Sequence, residues 1–451
     1  MTTPARRIAA DVLLRVEKQG AFANLALDAA LRQAGLLEPR EAALATELTY
    51  GSLRWQLQLD RALAAHADRA PDQLDVEVRI ALRLGCFELL HHPTVPARAA
   101  VNEAVELCKE LGFGKASGFA NAVLRKLSAT RVPPPPPDVA VDPAGHLAAL
   151  HAHPRWMVER WIKWLGFEET ALLCAANQQQ AQAAVRVARR KGTREEAAEA
   201  LRKAGVEAVP GRFSPDALVL ASGAPPALDI EGHDEGLFQA QDEAAQLVSL
   251  YAAPAPGARV LDACAAPGGK ACHLAELVGA SGHVLAVDLH SRKARHIAEA
   301  AARLGLSDTL EARAADASLP LPEVALDSFE LVLLDAPCSG LGTLRRHPEV
   351  KLRRTPTDVD RLAALQTKLL ASVQRYVKPG GLLVYALCTL TVEECDEQVA
   401  RFLAAFPAFS LAPPPDGFPP ECLDNRGAMR TLPHRTGTDG FFAVRLRKET
   451  V

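Results

Sequence analysis

The chain lacks any CxxC pair and any CxxC-plus-histidine spacing, so a zinc site is not expected. Its nine cysteines are odd in number, which argues against a disulfide framework. Free thiols suit a reducing compartment. Positive charge is not in excess: the formal net charge is -3 at pH 7, so any nucleic-acid surface must be local. No uncharged run approaches the length of a membrane span. The N-terminus, MTTPARRIAADVLLRVEKQG, is charged throughout and has no apolar core of a signal peptide. No internal repeat is visible. These absences leave a soluble, cytoplasmic protein without membrane or metal partners, expected as a monomer.

What is present is a long chain with real cores. It has 451 residues, 49% hydrophobic and 23% charged, more than one ordinary domain accommodates. Residues 1–130 read as helix after helix. Pro4 follows a candidate cap at Thr3, and Ile8, Val12, Leu13 and Val16 recur at helical spacing. Asn24 is placed to cap ANLALDAALRQAG, which stops at Gly35. Residues 131–145 contain five successive prolines, a semi-rigid spacer. Residues 146–235 predict a small α+β module. Its helix HPRWMVERWIKWLG bears Trp156, Trp161 and Trp164, better read as a core stripe than as base-stacking platforms. From residue 236 to 451 the rhythm is strand, loop, helix, which implies a parallel doubly wound α/β sheet.

In such sheets ligands sit beyond the carboxyl ends of the strands. DACAAPGGK, residues 262–270, lies between a predicted strand and a predicted helix. Gly268 and Gly269 allow close backbone approach, and the helix start offers unpaired N–H groups. The loop is neither GxGxxG nor a P-loop. Asp288 ends the second strand, where a carboxylate can accept both hydroxyls of a ribose. Asp316 ends the third, where one can take the exocyclic amine of an adenine. The pattern suits an adenosine compound with an amino-acid tail, and S-adenosyl-L-methionine fits.

Two further strands end in thiols: LLDAPCSG at Cys338 and YALCTLT at Cys388. A thiolate is the most nucleophilic side chain near neutral pH. Cytosine does not offer carbon 5 to a methyl donor unaided, but a thiolate added at carbon 6 makes carbon 5 nucleophilic. That chemistry needs a nucleophile, a carboxyl group at the ring edge and a helper at carbon 5. Asp335, Cys338 and Cys388 supply the set. Cys86, Cys108 and Cys174 read as packing residues. Cys264, and Cys395 in its predicted helix, also read better as packing than as chemistry.

DACAAPGGK, HVLAVD, LLDAPCSGLGTLRRHPEVK and YALCTLTVEE together resemble the RNA 5-methylcytosine methyltransferases. PREAALATELTYGSLRW, AVNEAVELCK and GFANAVLRKL resemble the NusB-type RNA-binding fold. The pairing is similar to the bacterial 16S rRNA cytosine-C5 methyltransferases of the RsmB/Sun type. That resemblance implies a multidomain chain: an all-α NusB-like N-terminal domain, a small α+β RNA-binding module and an α/β Rossmann-like class I methyltransferase domain. It implies S-adenosyl-L-methionine bound by Cys264, Ala265, Ala266, Pro267, Gly268, Gly269 and Lys270, with Asp288, Asp316 and Asp335. It also implies Cys388 as nucleophile, Cys338 as the residue that helps eliminate the product, Asp335 on the target cytosine, and Lys270 holding the site. Thr389, Leu387, Val392 and Ala315 depart from the family's usual serine, threonine, proline and glycine.

For RNA, Arg345, Arg346, His347, Lys351, Arg353 and Arg354 cluster after the first thiol loop. Arg186, Arg189, Arg190, Lys191 and Arg194 form a second basic group. A target cytosine must leave any stack to meet a thiol. The expected partner is 16S rRNA. A tRNA cytosine methyltransferase, an amino-group methyltransferase and a non-catalytic NusB-like RNA-binding factor are the competing readings. The amino-group enzyme leaves both thiols unexplained, and the non-catalytic factor leaves the glycine loop unexplained.

Overall fold

The computed structural model describes residues 2–67 and 69–450, so the expected outer limits at 1 and 451 lie outside it. The chain divides into two compact units. Residues up to 179 together with 344–353 form the first, and residues 180–343 with 354 onward form the second.

The first unit is helical. Helices Pro4–Gln19, Ala23–Ala34, Pro39–Ala64, Val76–His91, Ala97–Glu110 and Ser117–Thr130 surround one apolar core. Pro4 occupies the first turn, where a missing N–H costs nothing, and Gly20 ends the helix with a φ of 67°. Ile8, Val12, Leu13 and Val16 are buried together, as their spacing predicts. The second helix departs from expectation. It starts at Ala23, one residue before the predicted cap Asn24. The Ala23 amide donates to Glu349 Oε1 at 3.1 Å, so a carboxylate distant in sequence does the work expected of Asn24. Helices Pro143–Leu150, Arg155–Leu165 and Phe167–Asn177 belong to this unit as well. Trp161 is 1% exposed and meets His153 edge-on, the core role its spacing suggested.

The second unit contains two sheets. The smaller is antiparallel throughout: β1 (Ala184–Val187), β2 (Ala208–Pro210), β3 (Ala217–Leu220) and β4 (Phe238–Ala240), in the order β2-β3-β1-β4. Its helix Arg194–Lys203 starts at a capping box in which Thr193 and Glu196 satisfy each other's backbone amides.

The larger sheet comprises β5 (Arg259–Asp262), β6 (His283–Asp288), β7 (Leu310–Ala314), β8 (Phe329–Asp335), β9 (Val377–Leu387), β10 (Phe409–Leu411), β11 (Met429–Thr431) and β12 (Phe441–Lys448). Its order is β10-β12-β9-β8-β5-β6-β7, with β11 paired to β12. Strands β5 to β9 run parallel, whereas β12 is antiparallel to β9 and to β10. The sheet is therefore mixed rather than wholly parallel. Alternating strand and helix patterns do not encode the direction of a strand added at the edge, and mixed sheets of this kind are common. Helices pack on both faces, so β5, β6, β8 and β9 are buried on both sides and read as continuous apolar runs. The chain passes from β5 to β6 and β7 on one side, then returns to β8 and β9 on the other. That reversal opens a crevice at the strand ends beside β5. Among the described residues, no helix is long and apolar enough to cross a membrane.

Candidate active site

Strand register brings the predicted residues to one edge. Asp262 at the end of β5 lies opposite Leu333 of β8 and Ala286 of β6. Asp335, ending β8, lies opposite Ala386 of β9, two residues before Cys388. Asp288, ending β6, lies opposite Ala314, two residues before Asp316.

The glycine loop leaves β5 and enters the helix Gly269–Val278. The Ala265 amide donates to the Val287 carbonyl, and the Gly268 amide closes a turn on the Ala265 carbonyl at 2.7 Å. Gly268 has a φ of 104°, a conformation that favours glycine, and an added Cβ would press on Ile297 at 3.4 Å. Cys264, Ala265, Ala266 and Pro267 form the wall of the loop, and burial pushes the Cys264 thiol up, which suits packing rather than nucleophilic work.

The two outer carboxylates are ordered by their own turns. The Asp316 Oδ1 atom accepts from the Ser318 amide at 2.8 Å and its hydroxyl at 2.7 Å; both bonds fall on one oxygen. Asp288 is 8% exposed, and its Oδ1 accepts from the His290 amide at 3.1 Å. A left-handed glycine before a helix start, with two strand-end carboxylates, fits an adenosine compound with an amino-acid tail.

Between these carboxylates and the thiols stands Lys270. Its Nζ donates to Asp335 Oδ2 at 2.7 Å and lies 5.1 Å from the centre of the Phe441 ring. Burial works against its charge, but Asp335, Cys388 and Asp262 outweigh burial and raise the Lys270 pKa. The Asp262 carboxyl beneath it is fully buried. Desolvation, reinforced by Asp335, pushes it up to about 8, against Lys270 and the Cys264 amide.

The two thiols meet. Cys338 Sγ and Cys388 Sγ are 3.4 Å apart, half-buried at the crevice. Their loops are tied: the Gly342 amide donates to the Cys388 carbonyl at 3.0 Å, and the Gly440 amide to the Gly342 carbonyl at 2.8 Å. A Cβ on Gly342 would sit 1.8 Å from the Gly440 oxygen, so no larger residue permits this approach. The hydrogen bond with Cys388, then burial, then the charges of Cys388, Glu394 and Asp335 raise the Cys338 pKa. Cys395 is buried and donates towards the Thr389 carbonyl at 3.7 Å, a packing role.

The first basic group does not form the exposed face expected for RNA. Arg345 is buried, and Lys351, 2% exposed, donates to the Arg54 carbonyl at 2.7 Å. Arg353 donates to the carbonyls of Val16, Gly20 and Ala21, and His347 meets Phe22 edge-on. Arg354 donates to the Ser339 carbonyl at 2.9 Å, and Arg346 is half-buried. In the second group, Arg186 is buried against Glu276 and Gln241, whereas Arg189, Arg190 and Lys191 are exposed, with Arg189 paired to Asp216 and Arg190 to Asp308. A guanidinium that caps internal carbonyls has the same sequence signature as one that faces phosphate.

Asp262 and Ser339 lie inside the quoted motifs without a role of their own, Gln366 lies within a predicted helix, and Glu394 stands out only as half of an acidic pair. Their common signal is that each adjoins a motif residue in sequence or through a helix facing it.

Residues 249–447 match the family model described as 16S rRNA methyltransferase RsmB/F. Residues 3–129 match the NusB family, and residues 153–226 the ferredoxin-like domain of RsmF/B-like methyltransferases. A probable ribosomal RNA small subunit methyltransferase B of Bacillus subtilis is 35% identical, with 99% of each chain covered. The ribosomal RNA small subunit methyltransferase B of Pseudomonas syringae is 36% identical over 91% of this chain and 90% of its own. The crystal structure of PH0851 matches with a TM-score of 0.85 at 28% identity, covering 99% of this chain and 100% of that one. With its NusB-like helical domain, its ferredoxin-like module and a mixed-sheet domain that gathers two thiols, a lysine and three strand-end aspartates, the chain belongs to the RsmB/F family of 16S rRNA methyltransferases.

Proposed function

We propose that this protein transfers the methyl group of S-adenosyl-L-methionine to carbon 5 of a cytosine in 16S rRNA, with Cys388 as the nucleophile. The observation that carries the reading is the 3.4 Å approach of Cys338 and Cys388 beside the Lys270–Asp335 pair. An amino-group methyltransferase has no use for two adjoining thiols. Small-subunit rRNA is preferred over tRNA because the full-length relatives carry that substrate in their names.

The cofactor, held by Cys264 to Lys270 with Asp288, Asp316 and Asp335, supplies an electrophilic methyl group on a sulfonium. The chain supplies the rest. The Cys388 sulfur, as thiolate, adds to carbon 6 of the base, forming a carbon–sulfur bond and making carbon 5 nucleophilic. Asp335, one oxygen held by Lys270, presents the other to the exocyclic amine of the cytosine. After carbon 5 is methylated, its proton leaves to a base, the carbon 6–sulfur bond breaks, and Cys388 departs as thiolate. Cys338 assists this elimination. The balance is one ring proton exchanged for one methyl group. The reaction requires an unstacked cytosine.

Cys388→Ala with labelled cofactor tests the assignment. It should abolish methyl transfer while RNA and cofactor binding persist. Ordinary turnover would remove Cys388 from the role. Mapping the label in total RNA from wild-type reactions should place it on carbon 5 of a small-subunit rRNA cytosine.

A further inference from the structure

Behind the two thiols lies a carboxylate that touches neither sulfur yet is bonded into both of their loops. Glu394 is fully buried. Its Oε1 accepts from the Ser339 amide at 2.8 Å and from Gln366 Nε2 at 3.0 Å. Its Oε2 accepts from Thr391 Oγ1 at 2.8 Å, from Thr389 Oγ1 at 3.4 Å and from the Ser339 hydroxyl. Ser339 follows Cys338 and Thr389 follows Cys388, and their hydroxyls meet each other at 2.6 Å. Gln366 extends the tie to the other side of Cys338, donating to the Pro337 carbonyl at 2.9 Å. The Tyr385 hydroxyl closes the network, 3.0 Å from Gln366 Oε1 and 2.9 Å from the Glu394 carbonyl, with its one proton shared between the two acceptors.

Among the described residues, no lysine or arginine pairs with Glu394. A buried carboxylate without a cation is costly unless hydrogen bonds fill its acceptor sites. Here the Ser339 amide and hydroxyl, Gln366 and Thr391 do so, and Thr389 joins through the Ser339 hydroxyl, so the residue next in sequence to each thiol is tied to this carboxylate. A neutral apolar filler would hold the core equally well but could not bind both loops.

We propose that Glu394 is the positioning residue that sets the separation of the two thiols. The inference rests on the two-thiol reading of the site given above. Its primary test does not depend on catalysis.

The test is the rate at which Cys338 and Cys388 become joined when the full-length protein meets a diazenedicarboxamide oxidant. Two thiols lose two protons and two electrons to form the disulfide, and the oxidant takes them up to become the hydrazine. Mass spectrometry of the digested protein identifies the cross-linked pair among the other cysteines. Glu394→Ala should slow this cross-link by at least about tenfold, because a displacement near 1 Å is enough to cost that much between reacting groups. Glu394→Gln keeps the shape and can hydrogen-bond the same hydroxyls, so it should restore the rate to within about threefold of wild type. In methylation assays, kcat of Glu394→Ala should fall by about 100-fold with the KM for RNA unchanged. Should Glu394→Ala fail to fold, Ser339→Ala and Glu394→Asp replace it, each expected to slow the cross-link by about threefold or more. Cross-linking at the wild-type rate in folded Glu394→Ala, or in both substitutes, overturns the proposal. Failure of the methylation reading would instead appear as turnover by Cys388→Ala, with the cross-linking result unaffected.

Discussion

Lys270 Nζ, from the first turn of the helix after β5, lies 2.7 Å from Asp335 Oδ2 at the end of the adjacent strand β8, with both side chains largely withdrawn from solvent. In the proposed reaction this pair stands where Asp335 faces the base and Cys388 adds to it. Lys270→Met removes the ammonium while keeping the side-chain length. Methyl transfer is expected to fall by about 100-fold or more, as for the loss of a charged group aimed at a reacting centre. Alkylation of Cys388 by iodoacetamide at pH 7.5 should slow in the same variant. Unchanged alkylation would show that Lys270 serves the ligands but not the thiol.

Cys338→Ala separates addition from elimination. Addition needs only the Cys388 sulfur, whereas release of the methylated base is assigned to the pair. The variant should accumulate an RNA–protein adduct that survives denaturation and migrates as a shifted band on denaturing gels. Absence of that band, under conditions where the wild type turns over, would count against the helper role.

Much of this site was legible because its parts are marked locally. A strand announces itself by an apolar run, and at a crevice edge that run gives way to a carboxylate, a thiol or a glycine. Asp288, Asp316, Asp335, Cys338 and Cys388 were all found that way, and the sheet brings their strand ends to one edge. The residues that escaped were set by partners distant in sequence. Glu394 gains its meaning from Ser339 and Gln366, 55 and 28 residues away. Asn24 lost its expected cap to Glu349, and Arg353 directs its guanidinium to three helix-end carbonyls rather than to phosphate. Charge and capping potential are local properties, whereas burial is not. FFAVRLRK reads as a strand and is one, but its antiparallel direction escaped for a related reason, since apolar alternation carries no sign of direction.

Asp262 predicts a pH dependence of stability. Its folded carboxyl is raised to about 8 by burial and by Asp335, whereas an unfolded aspartate titrates near about 4. Below about pH 4 both states hold the proton and the group costs nothing. As pH rises towards 8 the unfolded state loses its proton first, so the fold loses stability progressively, and above about 8 the loss is complete. The full effect is at most on the order of 5 kcal/mol. Asp262→Asn removes this dependence. Its melting temperature should exceed that of wild type at pH 8.5, and the advantage should shrink towards pH 5. Calorimetric melting at the two pH values measures the difference, and an advantage that stays constant would contradict the assignment.

Lys351 predicts the opposite dependence in the helical unit. Burial, then the nearby Arg54 guanidinium, push its amine down to about 7, against the influence of Cys174. An unfolded lysine titrates near about 10.4. Above that value both states are neutral and the group costs nothing. As pH falls from about 10 to 7 the unfolded chain takes up the proton first, so the fold loses stability, and below about 7 the loss is complete, on the order of 4 kcal/mol. Lys351→Met fills a similar volume without a charge to desolvate, but leaves the Arg54 carbonyl without its 2.7 Å donor. Losing that bond costs about 1 kcal/mol, less than the charge penalty it replaces. Denaturant unfolding should therefore show Lys351→Met more stable than wild type at pH 7 by about 1–3 kcal/mol, and no more stable at pH 10.5. A variant less stable at both pH values would mean that the ammonium is held by more than the single carbonyl, and that its burial is compensated within the fold.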